Sequence, residues 1–140
     1  MKVPMNLTIL LIDSKSVYRN LTIQALGNLG FSGRCIPIKD YRESLFKINQ
    51  LLKKGEKIDL IISEFSFPDG DGADLIRKIR SHQKLKNTPI LALSDLEDPN
   101  EIVRAFEAGI DNYLLRPVED LALLEKIEYC WQKRKCPASA

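Results

Sequence analysis

The chain has 140 residues, 44% of them hydrophobic and 29% charged, which suits one domain with its own buried core and requires no second. A net charge of +2 with acidic and basic residues interleaved excludes a nucleic-acid-binding stripe, and Lys133-Arg134-Lys135 reads as a solvated helix end. Cys35, Cys130 and Cys136 lack the close pairs of a zinc or redox site, and neither a secretory leader nor an apolar run of about 18 residues is visible, so a cytoplasmic protein with no membrane contact is expected.

Leu7 to Ile12 is an apolar β-type run that ends in Asp13. Ser14-Lys15-Ser16 offers N-cap hydroxyls to a helix from about Ser16 to Leu29, in which Val17, Leu21, Ala25 and Leu29 are expected to face the sheet and Gly30 to stop the helix. Residues 31–38 make a weaker strand, placed at an edge by Pro37. Asp40 and Glu43 have the spacing of a capping box, and Leu45, Ile48, Leu51 and Leu52 carry a helical period up to Gly55.

Ile58 to Ile62 is apolar at every position except Asp59, and its Leu60-Ile61-Ile62 run has the pattern of a strand buried on both faces that leads through Ser63 to Glu64. In the turn that follows, Asp69, Gly70, Asp71 and Gly72 serve loop geometry ahead of a third helix marked by Leu75, Ile76 and Ile79. His82 lies in a charged segment after that helix and is given no catalytic role. Pro89 to Ser94 is a fourth strand, and Asp98-Pro99-Asn100-Glu101 starts a fourth helix that closes at Ala108-Gly109. Asn112 to Leu115 is a fifth strand closed by Arg116-Pro117, and Leu121, Leu123, Leu124, Ile127, Cys130 and Trp131 belong to a terminal helix.

Five strand-helix pairs in alternation predict an α/β fold, a doubly wound five-stranded parallel sheet with helices on both faces, as one domain over 1–140 with its core at about 7–134. In such a sheet the residues closing strands one, three, four and five, Asp13, Glu64, Ser94 and Arg116, converge on the carboxyl edge, where open α/β sheets place their ligands. The turn after the first strand has no glycine-rich phosphate cradle, which argues against a flavin or nucleotide binder.

The ordered motifs Leu11-Ile12-Asp13, Phe67-Pro68-Asp69-Gly70-Asp71-Gly72, Ala105-Phe106-Glu107-Ala108-Gly109 and Tyr113-Leu114-Leu115-Arg116-Pro117 resemble the receiver domain of bacterial two-component response regulators, of the chemotaxis-regulator type, from about Leu7 to Arg134. The resemblance implies a flavodoxin-like strand order 2-1-3-4-5. It also implies an acid pair that helps bind magnesium, a phosphoacceptor aspartate closing strand three, a hydroxyl after strand four, and a lysine before a proline whose peptide bond is often cis. Here Asp13 matches one member of the acid pair and Ser14 stands in place of the other, Glu64 stands at the phosphoacceptor position, and Ser94 matches the hydroxyl. Arg116 replaces the lysine, and Tyr113 matches an aromatic that moves with the hydroxyl.

These departures weaken a magnesium site, for which Asp13, Glu64 and Ser66 are the remaining weak candidates, because magnesium demands tightly fixed octahedral oxygen ligands. One added carbon-carbon bond of about 1.5 Å also moves a glutamate nucleophile out of line for phosphoryl transfer. The expectation is a pseudo-receiver without catalytic residues or cofactor, in which Glu64 pairs with Arg116, with Ser94 as third member, in place of a phosphoryl group. The alternative is a phosphorylatable regulator that takes phosphate from a histidine kinase with magnesium. A protein partner or a second copy is expected across helix four, strand five and helix five, with Val103 and Phe106 facing the core and Ile102, Tyr113, Leu121 and Leu124 facing out.

Overall fold

The computed structural model describes residues 3–95 and 98–135, so Cys136 lies outside the described residues. In chain order the elements are β1 (Ile9–Ile12), α1 (Ser16–Asn28), β2 (Cys35–Ile38), α2 (Tyr41–Lys53), β3 (Leu60–Glu64), α3 (Gly72–Ser81), β4 (Ile90–Ser94), α4 (Pro99–Ala108), β5 (Asn112–Leu115) and α5 (Asp120–Lys135). The five strands form a parallel sheet in the order β2-β1-β3-β4-β5, as expected. Pro37 falls on the edge strand β2, where a missing N–H costs no ladder bond. The register pairs Ile12 with Ser63, Glu64 with Leu93 and Ser94 with Leu115, which brings the ends of four strands to one edge.

Successive strand residues point to opposite faces, so each strand contributes to two cores. On one face Leu10, Ile12, Ile61 and Ile90 pack with Ile48, Leu75, Ile76 and Ala105 from α2, α3 and α4. On the other face Ile9, Leu11, Ile62 and Leu93 pack with Ala25 and Leu26 of α1 and with Leu123 and Ile127 of α5. β3 lies two residues later than the expected Ile58–Ile62, and all five of its residues are buried, Ser63 and Glu64 along with the apolar Leu60, Ile61 and Ile62.

Capping follows the sequence in α2 and α4, and in α3 Asp71, read from the sequence as a turn residue, is the N-cap. Asp40 Oδ1 accepts from the Glu43 N–H at 2.7 Å, Asp71 Oδ1 from Ala73 at 3.2 Å and Asp98 Oδ1 from Asn100 at 2.9 Å. In α1 the expectation fails: Lys15 is the N-cap residue and no side chain caps the helix. The Lys15 N–H donates instead to Asp13 Oδ1 at 3.0 Å, so the loop after β1 turns toward the carboxylate.

Two helices present different faces from those expected. In α1, Val17 is 68% exposed and Leu21 is also exposed, while Thr22, Ala25 and Leu26 are buried. A row of four-residue steps drifts around a helix of 3.6 residues per turn, so only its later members stay on the sheet. In α4, Val103 is 55% exposed and Phe106 40%, and the helix approaches the sheet through the small residues Ala105 and Ala108. Ile102 is therefore half-buried over Tyr113 and not outward. In α5, Leu124 is half-buried against the second core, whereas Leu121 stands outward as expected.

Candidate functional site

The sheet ladder continues past the strand ends and fixes the site. The Asp13 N–H donates to Ile38 O at 2.9 Å, Phe65 N–H to Leu93 O at 3.0 Å and Arg116 N–H to Ser94 O at 2.8 Å. With the backbone held, the Asp13, Glu64 and Arg116 side chains meet in a buried pocket. Arg116 Nη1 donates to Asp13 Oδ1 at 2.7 Å and, at a longer 3.4 Å, to Glu64 Oε2. Its other edge grips Asp95 Oδ1, from Nε at 2.8 Å and Nη2 at 2.7 Å. The guanidinium carbon lies 4.7 Å from the centroid of the Tyr18 ring, a cation–π contact from the first turns of α1.

Glu64 is 1% exposed, and its second oxygen, Oε1, accepts the Ser14 backbone N–H at 2.6 Å. Buried carboxylates need this kind of pairing, because an uncompensated charge in a low-dielectric interior is costly. Burial by itself lowers the Arg116 pKa, but the hydrogen bonds and charges of Asp13 and Asp95 outweigh it and hold the group above its ordinary value. Lys15, half-exposed, places its Nζ 3.8 Å from Asp95 Oδ2 and supplies a second, weaker cation.

Among the sequence-predicted residues, Ser14 joins the site through its backbone, while its hydroxyl oxygen and Asp13 Oδ2 are buried with no hydrogen-bond partner. Ser94 is half-buried and lines a cleft of about 190 Å³ with Ser66, Asp95, Asp98, Glu101 and Arg116. Tyr113 stands behind it, its ring edge-on to Phe106 with centroids 6.3 Å apart and Lys126 Nζ 5.7 Å above. The Arg116-Pro117 peptide bond is cis, as the resemblance implied. Asp71 caps α3 and also pairs with Arg104 of α4 at 2.8 Å, and a Cβ on Gly72 would collide with the Phe65 carbonyl, so this turn tolerates glycine alone at that point.

Asp95 and Tyr18 belong to the site and escape sequence reading. Asp95 directly follows Ser94, so inspection of two residues past each strand end would have found it. Tyr18 carries no such signal, since its position depends on the angle at which α1 leaves Asp13.

The model of the response regulator receiver domain family matches residues 9–128. The chain belongs to the response regulator receiver family. Its relatives include the chemotaxis protein CheY-3 of Vibrio cholerae, 27% identical over 128 residues that cover 91% of this chain and 94% of that protein. Chemotaxis protein CheY1 of Helicobacter pylori is 26% identical over 126 residues, 86% of this chain and 93% of that one. A putative response regulator from Chloroflexus aurantiacus superposes with a TM-score of 0.78 at 26% identity, covering 89% of this chain and 97% of that one. The chemotaxis regulator CheY4 of Vibrio cholerae, at 23% identity, shares the fold with a TM-score of 0.77 over 89% of this chain and 98% of that chain. The protein is thus a CheY-like receiver domain of two-component signalling. No helix among the described residues of this receiver is long and apolar enough to cross a membrane.

Proposed function

We propose that this receiver is a non-enzymatic protein-interaction module whose state is set without phosphoryl transfer. The observation that carries this reading is the engagement of Glu64, whose two oxygens are buried and directed at the Ser14 N–H and the Arg116 guanidinium. A carboxylate so held has each oxygen fixed by a donor and is not free to turn toward an incoming phosphoryl group, and positioning is most of what such transfer requires. The pair also supports the view that Glu64 stands in permanently for a modified side chain, with Asp13 as the nearer partner of Arg116 and Asp95 as a third carboxylate.

The residues present do not fit magnesium while Arg116 is in place, since Asp13 Oδ1 and Glu64 Oε2 are already bound by one guanidinium nitrogen. The module therefore works without cofactor. Its partner, a protein or a second copy, docks across α4, β5 and α5, where Val103 and Leu121 are exposed and Phe106 is exposed beside Tyr113. Lys133 Nζ lies 5.9 Å from the Phe106 ring centroid, so this surface is apolar with a basic margin.

Incubation with magnesium and either a phosphorylated histidine kinase or beryllium fluoride tests the reading. Intact mass is expected to stay unchanged and Tyr113 and Trp131 fluorescence to stay still. A phosphoryl adduct mapped to Glu64 would establish the phosphorylatable alternative.

A further inference from the structure

Two buried carboxylate oxygens, Asp13 Oδ1 and Glu64 Oε2, face the same atom, Arg116 Nη1, at 2.7 and 3.4 Å. A divalent cation bridging these two oxygens would have to lie close to that nitrogen, since magnesium binds oxygen at about 2.0–2.1 Å in a near-ideal octahedron that leaves no room for it. We infer that Arg116 is the resident cation of the acid pocket, filling the place between Asp13 and Glu64 and thereby excluding divalent metal. This rests on the reading of the receiver as independent of phosphoryl transfer and names the group that makes it so.

The seating of the guanidinium argues for a permanent role. Its one edge serves Asp13 and Glu64 while its other edge donates twice to Asp95, and its face lies on the Tyr18 ring. A lysine ammonium at the same place is a single point charge that cannot span both edges or stack on an aromatic face. The Arg116 side chain is almost wholly buried, so this cation is screened little by salt and does not exchange with solvent ions.

Loss of the guanidinium would leave Asp13 Oδ1 and Glu64 Oε2 directed at one vacated point, in a site where Asp13 Oδ2 and Ser14 Oγ already lack partners. Two carboxylates with hydroxyl and water oxygen are the donor set that hard divalent cations accept. The pocket thus holds a latent divalent-metal site that the arginine suppresses.

Thermal unfolding of the wild type, Arg116→Gln and Arg116→Gln/Asp13→Asn, each in magnesium chloride and in sodium chloride at equal ionic strength, tests this. The wild type is expected to unfold at the same temperature in both salts. Arg116→Gln is expected to unfold at a lower temperature in sodium and to recover by about 4 °C or more in magnesium, and the added Asp13→Asn change to abolish that recovery. If Arg116→Gln is unfolded in sodium, refolding on addition of magnesium supports the inference and failure to refold refutes it. A magnesium shift in the wild type equal to that of Arg116→Gln, or none in either, overturns it. Magnesium binding to the wild type with unchanged mass under phosphodonors would sink this inference alone, whereas a Glu64 adduct would sink the broader reading.

Discussion

Two ion centres lie at opposite edges of the same sheet with their charges inverted. At the carboxyl edge one guanidinium, Arg116, faces three carboxylates: Asp13, Glu64 and Asp95. At the other edge one buried carboxylate, Asp111, faces three cations: Arg134 Nε at 2.6 Å, Arg80 Nη2 at 3.2 Å and Lys133 Nζ at 3.8 Å. Asp111 also accepts the Ile90 N–H at 2.8 Å, and Arg80 donates to the carbonyls of Gly109, Leu85 and Thr88. Burial, with the Arg134 charge adding to it, pulls the Arg80 pKa down to about 10 against the attraction of Asp111. The Asp111 centre is closed by backbone partners and ties α3, β4 and α5 together. The Arg116 centre keeps two orphaned oxygens and opens on a cleft. The difference separates a centre closed by backbone partners from one that faces a cleft.

The largest expected effect breaks the Asp111 centre. Asp111→Ala leaves Arg80 and the Ile90 N–H without their buried partner and should cost about 3–5 kcal/mol in urea unfolding, with no recovery in magnesium. A loss under about 1 kcal/mol, or a magnesium rescue like that expected of Arg116→Gln, would erase the distinction between the two centres.

A smaller effect separates core from surface in α5. Leu124→Asp places a charge against the second core and should cost about 1–3 kcal/mol, whereas Leu121→Asp, at a position 69% exposed, should change stability by less than about 0.5 kcal/mol and act on assembly or partner binding instead. Equal losses of stability would place both residues in the core.

The smallest effect concerns thiols. Burial, with Asp111 adding to it, pushes the Cys130 thiol up to about 12 from its ordinary 9.0, and the Cys35 thiol is also raised by burial. A raised folded-state value favours the neutral thiol, so the contribution of Cys130 to stability is complete below about pH 9 and fades as pH rises toward 12. At pH 8 a thiol reagent should therefore modify Cys130 only on unfolding. Fast native-state labelling would mean that α5 opens away from the sheet.

Most of the architecture was legible because its signals are local. The run Ile58 to Ile62 reads as a doubly buried strand from its own residues, and Asp40, Asp98 and Pro99 mark helix starts by chemistry confined to one turn. The faces of α1 and α4 were less legible. Val17 and Phe106 are large and apolar, yet Thr22, Ala105 and Ala108 are the buried residues, since close approach of helix to sheet selects for size and not for hydrophobicity alone. The interface expectation inherited that error at Ile102 of α4, while Leu124 of α5 is half-buried against the second core.

By itself the sequence determined that Asp13, Glu64, Ser94 and Arg116 end four parallel strands, because strand ends follow from local pattern and parallel order from alternation. Only the tertiary structure decided how the charges are shared. The register brings Arg116 closer to Asp13 than to Glu64, gives Glu64 the Ser14 N–H, and lets Asp95 and Tyr18 complete the guanidinium's surroundings. Those pairings span up to 103 residues of sequence and are fixed by where the backbone ladders stop, which no local pattern encodes.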